Sequence, residues 1–204
     1  MFHVKLPEAG TLDVPRETEA RLRAYLALLQ SWNARINLVA QAPEEQLWRR
    51  HILDSWQLLP LLPDGVLADL GSGGGLPGIV IAIGREQETH LVESDRRKSA
   101  FLIEASRALG LRHVTVHPAR IEAARLPAIQ VVTARALAPL KLLVPQAARF
   151  LAPDGIAVFP KGRSVDAELT EVAPHWFMQV ERFQSRTDDQ ATILRLSEIR
   201  PAGA

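Results

Sequence analysis

The 204-residue chain has no cysteine. Disulfides, thiolate metal sites and a cysteine nucleophile are therefore excluded. No apolar run reaches the length needed to span a bilayer, and the first residues lack the apolar core of a secretory signal. The expectation is a cytosolic protein without membrane attachment. An excess of charge is missing too. The 24 Lys and Arg residues against 23 Asp and Glu leave a net charge of +1, so composition alone does not announce a nucleic-acid partner. There is no internal repeat and no low-complexity segment. What remains is ordinary for a globular chain, with 47% hydrophobic and 23% charged residues, and it is long enough for one α/β domain with a modest extension.

One stretch departs from the ordinary. Val66, Leu67, Ala68 and Leu70 surround an acid, Asp69, and a run of glycines follows from Gly71 to Gly78. A buried strand that ends in an acid and turns through glycines into a helix makes a nucleotide-sized cradle, because glycine allows positive φ and close backbone approach. Pro77 suits the first helical turn. Two ligands fit the pattern. Gly73-Gly-Gly75-Leu-Pro-Gly78 matches the dinucleotide form G-x-G-x-x-G, whereas Asp69-Leu-Gly71-Ser-Gly73 matches the D-x-G-x-G loop of S-adenosylmethionine (SAM) methyltransferases. A pyrophosphate wants bare N–H groups and would be repelled by an acid at the strand tip. SAM has no phosphate and carries an ammonium that an acid can hold, directly or through water. Asp69 thus favours SAM over NAD(P), and it can also serve as a structural cap of the turn. Thr89-His-Leu-Val-Glu93 is a second short strand ending in an acid. Its distance from the glycine loop is that of a ribose-binding carboxylate, and either cofactor has such a ribose.

Around this centre the pattern alternates. Residues 1–15 read as a lead-in. Leu22, Tyr25, Leu26 and Leu29 form a helical stripe between Pro15 and Trp32, residues 33–42 read as a loop, and a second helix runs from Pro43 to about Leu59. Strands are expected near 66–70, 89–93, 113–117, 129–134, 155–160, 176–182 and 190–196, and helices near 77–84, 95–109, 120–124, 137–151 and 164–172. Such alternation builds an α/β, Rossmann-like, mostly parallel seven-stranded sheet. The last two strands are separated only by the polar segment 184–189, so they form a C-terminal antiparallel hairpin. That hairpin is usual in class I SAM-dependent methyltransferases and absent from an ordinary dinucleotide domain. The expected organisation is an N-terminal helical extension, residues 1–64, on a methyltransferase domain, residues 65–204.

Several separated motifs then coincide. They are Trp32-Asn33 with Asn37-Leu38; Arg50-His51-Ile-Leu-Asp54-Ser55; Asp69 to Gly78; and Leu91-Val-Glu93-Ser-Asp95-Arg-Arg-Lys98. Arg120-Ile121-Glu122, Ala134-Arg135-Ala-Leu-Ala-Pro-Leu140 and Lys161-Gly162 follow. In order and spacing the chain resembles the RsmG (GidB) family of 16S ribosomal RNA guanine-N7 methyltransferases. The resemblance implies SAM as cofactor, with Gly71, Gly73 and Leu76 of the loop, Asp69, the ribose acid Glu93, the adenine neighbours Ile121 and Glu122, and Arg135 near the SAM tail and the target base. Some members carry Asp where this chain has Glu93. It further implies 16S rRNA or the small-subunit particle as partner, no metal, and a monomer.

Methyl transfer is an in-line displacement, so the protein mainly holds a nucleophile about 3 Å from the sulfonium methyl. Guanine N7 has an in-plane lone pair and no proton, so no general base is needed. The missing cysteine disfavours pyrimidine C5 methylation. The Asn/Asp-Pro-Pro-aromatic loop of exocyclic-amine enzymes is replaced by Ala134-Arg135-Ala-Leu-Ala-Pro139. Arg135 can clamp the SAM carboxylate, bond guanine O6, or make a structural ion pair. Arg50, His51, Lys161 and Arg163 are the RNA-contact candidates. Against that, His51 and Asp54 share a helix face and can simply dock it on the core. Trp32 and Trp48 anchor the helical cap more readily than they stack on a base. The rival readings are a SAM-dependent methyltransferase with another substrate and an NAD(P)-binding protein.

Overall fold

The computed structural model describes residues 14–203; most of the segment read as a lead-in lies outside the described residues. Seven strands form one sheet in the order β3-β2-β1-β4-β5-β7-β6. They are β1 (Leu67–Leu70), β2 (Thr89–Glu93), β3 (Val114–Pro118), β4 (Ile129–Thr133), β5 (Leu151–Lys161), β6 (Trp176–Gln184) and β7 (Thr192–Pro201). The first five are parallel, and β7 enters antiparallel between β5 and β6. The strand order reverses between β1 and β4, which opens a crevice at the carboxyl ends of the strands.

Strand alternation explains the two layers. Ala68, Leu70 and Val132 face a cluster with Leu140, Leu143, Val144 and Ala147 of α6 (Leu140–Ala148). Leu67 and Val131 face the opposite side, with Ile81 of α4 (Gly78–Gly84). The stripe Leu22, Tyr25, Leu26 and Leu29 of α1 (Arg16–Asn33) is fully buried. It packs with Ile79, Val80 and Ala82 of α4 and with Phe101 and Leu102 of α5 (Arg96–Ala108). α7 (Val165–Val172) covers the α6 side.

Three expectations are corrected. The second helix is not regular. α2 (Glu44–Leu47) passes into a π-helical turn, Trp48–Leu53, before α3 (Asp54–Trp56) and a 3-10 turn, Leu59–Leu61. The helix expected at 137–151 begins only at Leu140, because Pro139 caps it and the residues before it form a loop in which Ala136 has φ +52°. The strand expected at 155–160 starts earlier: β5 begins at Leu151, with a register shift against β4 between Ile129 and Val131.

Candidate active site

The chain leaves β1 through a loop that only glycine accommodates. Gly71, Gly73 and Gly75 have φ of +66°, +55° and +84°. A Cβ on Gly71 would lie 2.5 Å from Cδ1 of Leu137. The loop turns on itself through Gly75 N–H to Ser72 O at 2.7 Å and is tied to β2 by Ser72 N–H to Val92 O at 3.0 Å. Tyr25 supports it from α1, its hydroxyl donating to Gly74 O at 2.5 Å.

Glu93 closes the second side. One carboxylate oxygen accepts from Gly73 N–H at 2.8 Å and the other from Asp95 N–H at 2.7 Å. Each oxygen keeps a lone pair for a hydroxyl. Asp95 in turn caps α5, accepting from the backbone of Arg97 and Lys98.

Asp69 corrects the expectation of direct cofactor contact. It is fully buried beneath the loop and does not line the cleft. Its oxygens accept from Thr133 Oγ1 at 2.9 Å and Gly78 N–H at 3.2 Å. Burial pushes its carboxyl up to about 6, against the hydrogen bonds from Thr133 and Gly78. Its role in the structure is to pin the start of α4 to β4.

The resulting cleft has a volume of about 810 Å³. Gly71, Gly73, Leu76, Glu93, Ile121, Glu122 and Arg135 all line it, so the other cofactor candidates converge. The sequence reading missed Leu38 and Val39, which complete the wall. They are carried there by Asn33, whose carboxamide oxygen accepts from their N–H groups at 2.8 and 3.0 Å and whose nitrogen donates to Val39 O at 3.0 Å. The signal was an Asn at the end of a helix, five residues before a short apolar pair, within the Trp32-Asn33 and Asn37-Leu38 motif.

Arg135 projects from the end of β4 onto the π turn. Nη1 donates to Arg50 O at 2.8 Å and to Asp54 Oδ2 at 3.1 Å, and Nη2 donates to His51 Nδ1 at 3.1 Å. The π turn makes this possible. Asp54 N–H reaches back to Arg49 O, which leaves the Arg50 carbonyl to the guanidinium. Asp54 is held further by Thr187 Oγ1 at 2.6 Å and Gln57 Nε2 at 2.9 Å. Burial, reinforced by the Arg135 charge, lowers the His51 pKa to about 4, so the ring is neutral. His51 and Asp54 thus dock the helix, and His51 also lines the cleft.

The remaining RNA candidates divide. Lys161 is corrected: its ammonium is largely buried, 2.7 Å from Glu168 and 3.1 Å from Ala138 O, and it secures the loop before α6 instead of facing solvent. Arg50 and Arg163 expose their side chains, the latter hydrogen-bonded to Gln190. Trp32 packs on Phe101 with ring centroids 5.6 Å apart, and Arg23 covers Trp48 at 4.7 Å. A second cavity of about 910 Å³ lies between Arg49, Arg50, Lys161 and the 187–191 loop, and it meets the cleft at Arg135 and Ala136.

A glycine loop that admits backbone contact, a carboxylate with free lone pairs and an apolar wall fit a nucleoside that carries an amino-acid end. With the reversed seven-stranded sheet, they define a class I SAM-dependent methyltransferase, with SAM as cofactor. Solved structures with this fold include a SAM-dependent methyltransferase from Aquifex aeolicus, with a TM-score of 0.60, 12% identity, and coverage of 84% of this chain and 97% of that one. An O-methyltransferase from Bacillus cereus in complex with SAH gives 0.57 at 12% identity, covering 85% and 90%. Residues 18–193 match the family described as rRNA small subunit methyltransferase G, and the chain belongs to that family. It is 56% identical over 211 residues to the ribosomal RNA small subunit methyltransferase G of Acidiphilium cryptum, covering 95% of this chain and 97% of that protein. The Rhodospirillum rubrum protein of the same name is 54% identical over 200 residues, with 96% and 99% covered.

Proposed function

We propose that this protein transfers a methyl group from SAM to N7 of a guanine in 16S ribosomal RNA, in the cytoplasm. What carries this reading is the family match over residues 18–193 together with a cleft to which the loop, Glu93, Ile121 and Arg135 all contribute. When bound, the cofactor supplies an electrophilic methyl on a sulfonium. Gly71, Gly73 and Leu76 let the backbone close on the amino-acid end. Glu93 accepts the ribose hydroxyls with its remaining lone pairs, and Ile121 and Glu122 receive the adenine. Asp69 acts from below by fixing the loop. Arg135 orders the wall where the base must enter, its charge balanced by Asp54 at 3.1 Å. No side chain has to remove a proton, since N7 carries none. Of the RNA-contact candidates, Arg50 and Arg163 keep exposed side chains available to phosphates.

Incubation with labelled SAM and total RNA, followed by mass-spectrometric mapping, tests the reading. Label at a single 7-methylguanosine in the small-subunit RNA is the expected result. Label confined to protein or small molecules would overturn it. Titration by calorimetry separates the dinucleotide alternative, because S-adenosylhomocysteine (SAH) is expected to bind and NAD is not.

A further inference from the structure

His51 is held in one tautomer by its surroundings. An arginine nitrogen cannot accept a hydrogen bond, so the 3.1 Å contact from Arg135 Nη2 makes Nδ1 the acceptor. The ring proton then resides on Nε2, and the ring lines the cleft, with the Arg50 carbonyl also beside the imidazole. Arg135 is less free than its position suggests. Three of its five N–H groups are committed to Arg50, Asp54 and His51.

We infer that His51 is the guanine-selecting residue, donating Nε2–H to O6 of the target base while N7 stays open to the methyl group. This rests on the reading of the protein as a guanine-N7 methyltransferase. The chemistry favours a neutral donor. Attack through N7 leaves positive charge on the base, beside a cofactor that starts as a sulfonium, and a cationic donor would oppose both. The ring stays uncharged because it is buried and Arg135 stands next to it, which lowers its pKa to about 4. Adenine also offers an N7, but it presents an amino group where guanine has O6. Two donors would then face each other, and His51 cannot switch tautomer without facing Arg135 with a proton on Nδ1.

The test compares kcat/KM on two 16S RNAs, one with guanine and one with 2-aminopurine at the mapped position. 2-Aminopurine keeps N7 and lacks O6. Wild-type methylation of the guanine RNA establishes the underlying reading, and its absence would remove that reading and the inference together. Given that activity, His51→Ala is expected to shrink the guanine preference about tenfold, because the preference requires the lost donor. His51→Gln, with an amide nitrogen near the Nε2 position, is expected to regain part of it. A purely structural role would lower both RNAs by the same factor. That result, or an unchanged preference in His51→Ala, overturns the assignment.

Discussion

Tyr25 and Gly74 are joined by a 2.5 Å hydrogen bond between a helix of the N-terminal segment and the glycine loop. Tyr25 is fully buried, and burial raises its hydroxyl pKa far above the ordinary value, so it remains a donor at any working pH. Tyr25→Phe keeps the packing and leaves the Gly74 carbonyl without this partner. We expect a loss of about 1–3 kcal/mol in urea denaturation and weaker SAH binding by calorimetry. Unchanged SAH affinity would show that the loop holds its shape without the Tyr25 hydroxyl.

Arg135→Ala separates structure from activity. It strips Asp54 of a guanidinium in a site where both side chains are only 17% exposed. The cost is about 2 kcal/mol, moderated by Thr187 and Gln57, which still donate to Asp54. Removing the stranded charge as well, in Arg135→Ala with Asp54→Asn, should restore much of the stability. Methyl transfer should stay at least 100-fold below wild type in both variants. Recovery of turnover in the double variant would make Arg135 purely structural.

Glu93 gives an inverted order of substitution effects. Both carboxylate oxygens accept backbone N–H groups, from Gly73 and Asp95. In Glu93→Gln the amide nitrogen must face one of these donors, so the isosteric change is the damaging one. We expect SAH affinity to fall about 30-fold, ~2 kcal/mol, in Glu93→Gln and less in Glu93→Asp. The reverse ranking in a titration would exclude this account.

Asp69 predicts a slope in the stability curve. Its carboxyl titrates near 6 when folded and near 3.8 when unfolded. The folded chain therefore binds more protons between these values, and stability falls as pH rises through that window, by ~3 kcal/mol in all. His51 works in the opposite sense. Its folded pKa near 4 lies below the ordinary 6.5, so its contribution rises with pH over an overlapping range. Asp69→Asn retains an acceptor for Gly78 N–H and offers its amide to the Thr133 hydroxyl. Chemical denaturation from pH 4 to 7 should show wild type losing stability relative to Asp69→Asn as pH rises. Parallel curves would place the Asp69 titration elsewhere.

The inner strands β1 and β4 were legible because each is a short apolar run, such as Leu67–Leu70 before the hard stop at Gly71, whereas the longer β5 and β7 mix polar and apolar residues and their bounds were read only in part. The α1 stripe was legible for the same kind of reason. The glycine loop and Glu93 were readable as a site because their spacing is local. Lys161 was misread because its partner, Glu168, lies on the following helix and charge alone does not reveal a buried pair. The π turn was invisible because it differs from an α-helix by the shift of a hydrogen bond at Asp54. Asp69 illustrates the same limit. Its acid and its place at a strand tip were plain, but the Thr133 hydroxyl that claims it comes 64 residues later.

The order of strands has a consequence for biosynthesis. β1 is flanked by β2 and β4, and β4 is made only after the whole glycine loop, Glu93 and β3. A nascent chain halted at Pro118 would own the first cleft-lining segments, yet one edge of β1 would be bare and Asp69 would lack Thr133. On the proposed cofactor site, grip is therefore a late acquisition during translation, completed by residues far along the message and not by the loop that first announces it.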